Sequence, residues 1–380
     1  MQNTYNNILH IVSFDTPYPP NYGGVIDVFY KIKAFKRAGA KLILHIFGQG
    51  QELLDELKEY CEQIYIYERN TGMGSQLSTI PYIVNSRRQP DLLKNLMNDD
   101  WPILFEGLHT TYYLDHPFLK NHLKIYRESN IEHHYYWQLA LASRKIIDKI
   151  FFSIEAARLY QWQNQLKYAD LILTVSENDS QYLKKKFPHQ QIECIPSFHG
   201  NQEVSSKIGF GDYALYHGKL SVPENDQAAR FLIQKVFAEL PYRFVVAGMN
   251  PEKGLIKLAQ NYPNVELIAN PSSQEMDKLI EEAQVNVLIT QQATGLKLKL
   301  LNTLFKGRHC LVNEKMLTGT NLHPLCHIAY HKKSLKEKII ELFQIPFSAD
   351  EIEKRMHHLN HFYSDDENAR KILDLIFKFK

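Results

Sequence analysis

The chain has 380 residues, 44% of them apolar and 23% charged, with 44 lysines and arginines against 42 aspartates and glutamates. This is an ordinary globular composition, long enough for two domains, and a formal net charge of +2 argues neither for nor against nucleic acid. No segment reaches membrane-spanning length, and the start, MQNTYNNILHIVSF, has no basic leader and reads as a first strand rather than a signal peptide.

Short β-rich runs then recur in chain order. They fall at Ile8–Phe14, Leu42–Phe47, Ile64–Tyr67, Ile103–Phe105, Leu123–Tyr126, Leu171–Val175 and Ile192–Ile195. A second set falls at Tyr213–His217, Arg243–Ala247, Val265–Ile268, Val285–Ile289, Cys310–Val312 and Ile328–Tyr330. Apolar runs of this length between amphipathic helices read as buried parallel strands. The fold class is therefore α/β, with a doubly wound Rossmann-like sheet occurring twice. The break falls near Pro196–Gly211, where SFHGNQEVSSKIGFGD is polar, aperiodic and holds three glycines. The domains are 1–198 and 212–355. A last helix is capped by Ser364 and carries Asp365, Asp366 and Glu367 in its first turn. Its stripe Ala369, Ile372, Leu373 and Ile376 needs a surface to pack on.

In open α/β sheets ligands bind beyond the carboxyl ends of the strands, so two such domains are expected to share a cleft. Four strand-end loops have chemistry suited to an anion. Gly23 and Gly24 precede a helix in DTPYPPNYGGVIDVFYKIKAFKRAG, and Lys219 follows Gly218 in HGKLSVPENDQAA. The third loop is AGMNPEKG. The fourth is ATGLKLKLLNTLFKG, where Thr294 and Gly295 follow a strand and Lys297 and Lys299 open a helix. Free N–H groups at helix starts, with glycines allowing close approach, attract anions, although a turn glycine more often serves only its turn.

These stretches, with NIEHHYYWQLA and YADLILTVSENDSQYL between them, resemble the retaining glycosyltransferases of GT-B fold. The resemblance is to the large family-4 type that builds bacterial surface polysaccharides, and it runs over nearly the whole chain. It implies a donor nucleotide held mainly by the C-terminal domain and an acceptor held mainly by the N-terminal one. The last helix, 364–380, would cross back to the N-terminal domain. Lys219 matches the basic residue that meets the donor diphosphate. Asn225 stands where a second basic residue is usual, a charge that Lys299 or Lys297 would replace. The family's paired glutamates would fall on Thr294 and Asn302, neither acidic. Asn302 is then expected at a ribose hydroxyl and Thr294 at the helix cap or the donor sugar; the plainer reading makes them an N-cap and a solvated polar residue. The histidine usual near the reacting sugar falls on Ser129, with His133 and His134 just beyond. Glu106 and His109 are the other candidates for acceptor contacts. Lys219, Lys299, Glu106 and His133 thus form the expected catalytic set.

The resemblance further implies transfer of a hexosyl group from a UDP- or GDP-sugar to a glycan or lipid-linked acceptor. Lysines and N–H dipoles would stabilise the departing diphosphate, in a site that excludes water. No cofactor or metal is expected: there is no DxD, HExxH or CxxC, and His323, Cys326 and His327 read as incidental loop residues. Four scattered cysteines suit a reducing, cytoplasmic setting. Two other readings stand behind this one: a non-catalytic GT-B-like subunit supporting a partner, and a nucleotide-sugar epimerase. SRKIIDKIFFSIEAARLYQWQNQLKYA mixes Arg144, Lys145, Lys149 and Arg158 with Phe151, Phe152 and Trp162. It reads first as a long helix pair closing the N-terminal domain and second as a peripheral contact at the inner membrane face.

Overall fold

The computed structural model describes residues 7–48, 54–72, 78–143, 145–291 and 298–378. In the first half the strands are β1 (Ile8–Ser13), β2 (Lys41–Phe47), β3 (Gln63–Tyr67), β4 (Ile103–Glu106), β5 (Lys124–Arg127), β6 (Leu171–Thr174) and β7 (Gln191–Cys194). They form one sheet in the order β3-β2-β1-β4-β5-β6-β7. All pairs are parallel, with β1 registered on β2 from Ile8 opposite Lys41 to Ser13 opposite Ile46. The second half holds β8 (Ala214–His217), β9 (Phe244–Gly248), β10 (Val265–Ala269), β11 (Val285–Leu288), β12 (His309–Val312) and β13 (His327–Ile328). Their order is β10-β9-β8-β11-β12-β13, again all parallel. Central strands such as ILFE in β4 and ALYH in β8 are buried along their whole length, as sheets covered by helices on both faces require.

Helices used below are α1 (Gly23–Arg37), α2 (Glu132–Ala142), α3 (Ile146–Trp162), α4 (Glu177–Lys186), α5 (Pro223–Phe231), α6 (Ser273–Glu282), α7 (Leu298–Lys306), α8 (Lys332–Leu342), α9 (Ala349–Tyr363) and α10 (Asp365–Phe377). The described chain divides into two compact units, residues 7–200 with 363–378, and residues 201–291 with 298–362.

The C-terminal helix α10 therefore belongs to the first unit. Ala369, Ile372, Leu373 and Ile376 lie in the same core as Val25, Val28, Ile32 and Phe35 of α1. Ser364 caps α10 by accepting from the Glu367 N–H at 3.3 Å. Asp365 accepts from the N–H groups of His199 and Gly200, at 3.2 and 2.8 Å. Burying each large aliphatic side chain of such a stripe contributes about 2 kcal/mol. No described helix is long and apolar enough to cross a membrane.

Candidate functional site

In the second unit, β8 delivers its C-terminal end into Gly218 and Lys219, and Pro223 at the first position of α5 presets helical geometry. A Cβ on Gly248, at the end of β9, would stand 1.8 Å from the Gly218 carbonyl oxygen. Only glycine lets these two strand ends lie so close. The adjacent AGMNPEKG loop is set by Asn250, at φ 51°, whose N–H donates to the Asn270 side chain at 2.7 Å.

Asn225 gathers the chemistry here. Its amide nitrogen donates to the Lys219 carbonyl at 3.0 Å. Its amide oxygen accepts from the Tyr216 hydroxyl at 3.2 Å and from Lys299 Nζ at 3.3 Å. The Lys299 ammonium also lies 5.3 Å from the Tyr216 ring centroid, a cation–π distance. Lys299 is half-buried and Lys219 exposed. The cation absent at position 225 is thus brought to Asn225 by the helix α7, 74 residues away in sequence. Thr303, one turn on from Lys299, shares a 3.1 Å hydrogen bond with His217 Nε2 and fastens α7 to β8. Burial and the nearby Lys299 charge push His217 down to about 3, leaving it neutral at physiological pH.

One carboxylate at this edge escaped sequence reasoning. Glu224, in the first turn of α5, accepts from the Thr290 hydroxyl and, at 2.9 Å, from the Gln291 N–H, beyond the end of β11. Thr290 is also bound by Asn313, whose amide oxygen accepts from its N–H at 3.1 Å and whose nitrogen donates to its carbonyl at 2.7 Å. An acid at a helix N-terminus reads from sequence only as a partner for the dipole. Thr294, Gly295 and Lys297 lie outside the described residues. Asn302 is turned to a different neighbour from Lys299: it donates to Asp277 of α6 at 3.3 Å, beside the Lys306–Asp277 ion pair at 2.6 Å. The expected ribose contact therefore meets an amide already engaged between two helices.

In the first unit Gly23 and Gly24 open α1 as expected. A Cβ on Gly24 would stand 2.6 Å from the Phe14 ring, so the helix start packs on the end of β1. The preceding loop is held by Asp15, which accepts from the Tyr22 hydroxyl at 2.6 Å and the Thr16 N–H at 2.9 Å.

Two residues of the expected catalytic set are engaged with neighbours inside this unit. Glu106 is 2% exposed and binds Lys31 Nζ at 2.7 Å. Lys31 pairs in turn with Asp27 at 2.9 Å, and Asp27 with Arg127 at 3.3 Å. Two buried cations answer two buried carboxylates, so Glu106 holds β4 to α1. His133 lies among His134, Tyr160 and Tyr182, with Nε2 at 3.4 Å from the Tyr182 hydroxyl. Burial and His134 push it down to about 4, a neutral aromatic packing residue between α2, α3 and α4.

The strand ends of this unit carry other unusual groups. His109 is buried against Phe14, with ring centroids 5.1 Å apart, and its Nδ1 has no hydrogen-bond partner among the described residues. Burial and the charges of Arg87 and Arg69 hold it well below the ordinary histidine range. Glu128, next to Ser129, accepts from the Asn130 N–H at 3.2 Å. Burial, then Glu132 and Asp179, raises its carboxyl well above the usual range. Burial pushes Glu132 up to about 7 against the opposing pull of Arg87. A carboxyl near neutrality is fit for proton exchange.

No family model matches the chain. A Klebsiella pneumoniae protein, an uncharacterized 44.6 kDa protein in the cps region, is 25% identical over 394 residues, covering 97% of this chain and 98% of its own. Among solved structures, TarM superimposes with a TM-score of 0.69 at 12% identity, over 97% of this chain and 98% of TarM. Anabaena HepE, solved with UDP and glucose, gives 0.65 at 10% identity over 98% of this chain and 100% of HepE. WaaG, a glycosyltransferase involved in lipopolysaccharide biosynthesis, gives 0.66 at 9% over 97% and 99%. The two Rossmann-like units of this chain have the GT-B architecture of these glycosyltransferases.

Proposed function

We propose that the protein is a glycosyltransferase that moves a hexosyl group, with retention, from a UDP- or GDP-sugar to a glycan or lipid-linked acceptor. The setting would be the cytoplasmic assembly of a surface polysaccharide. The observation that carries this reading is the Lys219–Asn225–Lys299 group at the carboxyl edge of the six-stranded sheet, in a fold shared with enzymes that include a UDP complex. The cps-region relative supports the polysaccharide context.

In this reading Lys219 and Lys299 meet the donor diphosphate and stabilise the charge that grows on it as the glycosidic bond breaks. Asn225 and Tyr216 keep the Lys299 ammonium in place, and Glu224 braces Thr290 and Gln291 beyond the end of β11. Retention follows if the acceptor hydroxyl attacks the face the diphosphate leaves and passes its proton to that leaving oxygen. The acceptor side falls to the loops around Gly23, Gly24, His109 and Ser129. Lysine charge at the diphosphate takes the part a metal plays elsewhere.

Release of nucleoside diphosphate from a donor sugar is the test. Lys219→Ala and Lys299→Ala should each lower its rate at least tenfold, because a charge-assisted bond to phosphate is worth about 1.5–3 kcal/mol. Unchanged rates in both variants would remove the assignment.

A peripheral membrane contact belongs to the same proposal. Of the apolar residues first read as core, Trp162 is indeed held inward, its indole N–H donating to Thr111 at 3.0 Å. On α3, however, Ile146 is 74% and Ile147 80% exposed, and Ile150, Phe151 and Ile154 are exposed beside them. Lys145 and Lys149 are exposed at the same end. An apolar row with basic neighbours suits an anionic lipid surface, where a lipid-linked acceptor would be presented.

A further inference from the structure

His309, His327 and Glu351 come together in the second unit although sequence separates them. His327 begins β13, His309 begins β12 beside it, and Glu351 lies in the first turn of α9. One ligand atom from each lies within 4.8 Å of the others. His323, grouped with His327 by sequence, instead faces Glu314 at 3.5 Å.

The decisive feature is the His309 ring. His309 is 1% exposed, and its Nε2 lies 3.0 Å from the Ile345 carbonyl. A carbonyl only accepts, so Nε2 carries the proton and Nδ1 presents its lone pair. That lone pair is buried and has no hydrogen-bond partner among the described residues. Glu351 Oε2 stands 3.9 Å from it, too far for a hydrogen bond, and the His327 ring centroid lies 5.3 Å from that of His309. A backbone carbonyl fixing the far nitrogen is the arrangement that aims a histidine at a metal.

The geometry points to a divalent transition-metal site, of zinc type, with His309 Nδ1, His327 and Glu351 as ligands and water completing the shell. Two imidazoles and one carboxylate suit zinc at about 2.0–2.2 Å. Drawing the three donors to that distance asks only for small rotations of the partly exposed His327 and Glu351 side chains.

The charges that face the group are Arg308, Arg355 and Lys338 against Glu341 and Glu351 itself. Arg355 is held by the carbonyls of Leu304, Gly307 and Arg308. An ion here would tie β12 and the edge strand β13 to α9.

The experiment uses the full-length, tag-free protein, stripped with chelator and then titrated with Zn2+ by calorimetry and with Co2+ by visible absorbance. The expected result is one equivalent bound with a micromolar or tighter Kd, tetrahedral Co2+ bands and a raised melting temperature. His327→Ala and Glu351→Gln should each weaken binding at least tenfold, while His323→Ala leaves it unchanged. Absence of stoichiometric binding, or full affinity in both ligand variants, would overturn the site. Circular dichroism of each variant separates lost ligation from lost folding.

Discussion

At Glu106 a carboxylate is fully enclosed 75 residues in sequence from its cation, Lys31. Burying either charge alone would cost several kcal/mol, and the pairing with Asp27 and Arg127 offsets this. Glu106→Ala should therefore cost about 3 kcal/mol in stability, read as a lower urea midpoint. Under the proposed function, substrate KM in the remaining folded protein should be unchanged. A variant of wild-type stability that had lost acceptor affinity would return Glu106 to the site. Sequence could name Glu106 and Lys31 separately, but spacing says nothing about pairs joined by strand order. The same limit applies at Asn225. Its lack of charge was visible, and so was Lys299 as a substitute, yet the Tyr216 side chain, whose hydroxyl meets Asn225 and whose ring meets Lys299, and Glu224 beyond it, emerged only once β8, α5 and α7 were placed.

Among the elements, the parallel strands were the most legible, because burial on both faces leaves near-continuous apolar runs such as LILHIF in β2. Each of the thirteen runs forms a strand, with ends shifted by one or two residues. The capped C-terminal helix and its stripe were legible for the same reason. Helix α3 was not. Its apolar residues circle the helix, so periodicity cannot separate Ala156 and Leu159, which are buried, from Ile147 and Ile150, which are not. Its exposed row leads to a prediction at this scale. The double change Ile147→Glu, Ile150→Glu should abolish co-sedimentation with anionic vesicles, since each apolar side chain moved into lipid contributes about 1.5–3 kcal/mol. Turnover on a water-soluble acceptor should persist. Equal sedimentation of variant and wild type would place that row elsewhere than on lipid.

For the whole molecule, the architecture is specified by the alternation of strand and helix, which is why structures at 9–12% identity superimpose over nearly the full chain. Function is less distributed. Under the proposed function it would rest on a few strand-end side chains, and a fold shared so widely does not by itself transmit a substrate. Choice of base and sugar would fall to loops such as 248–251 and 269–273. There, Asn250 and Asn270 take left-handed backbone angles, a local geometry that composition does not encode. The central claim, that the Lys219–Asn225–Lys299 group is a working diphosphate site, is tested most directly by calorimetric titration with UDP and GDP. The account predicts saturable binding of one of them, weakened at least tenfold in Lys299→Ala. No binding of either nucleotide, or equal affinity in the variant, would contradict it and favour a GT-B-like subunit that supports a partner.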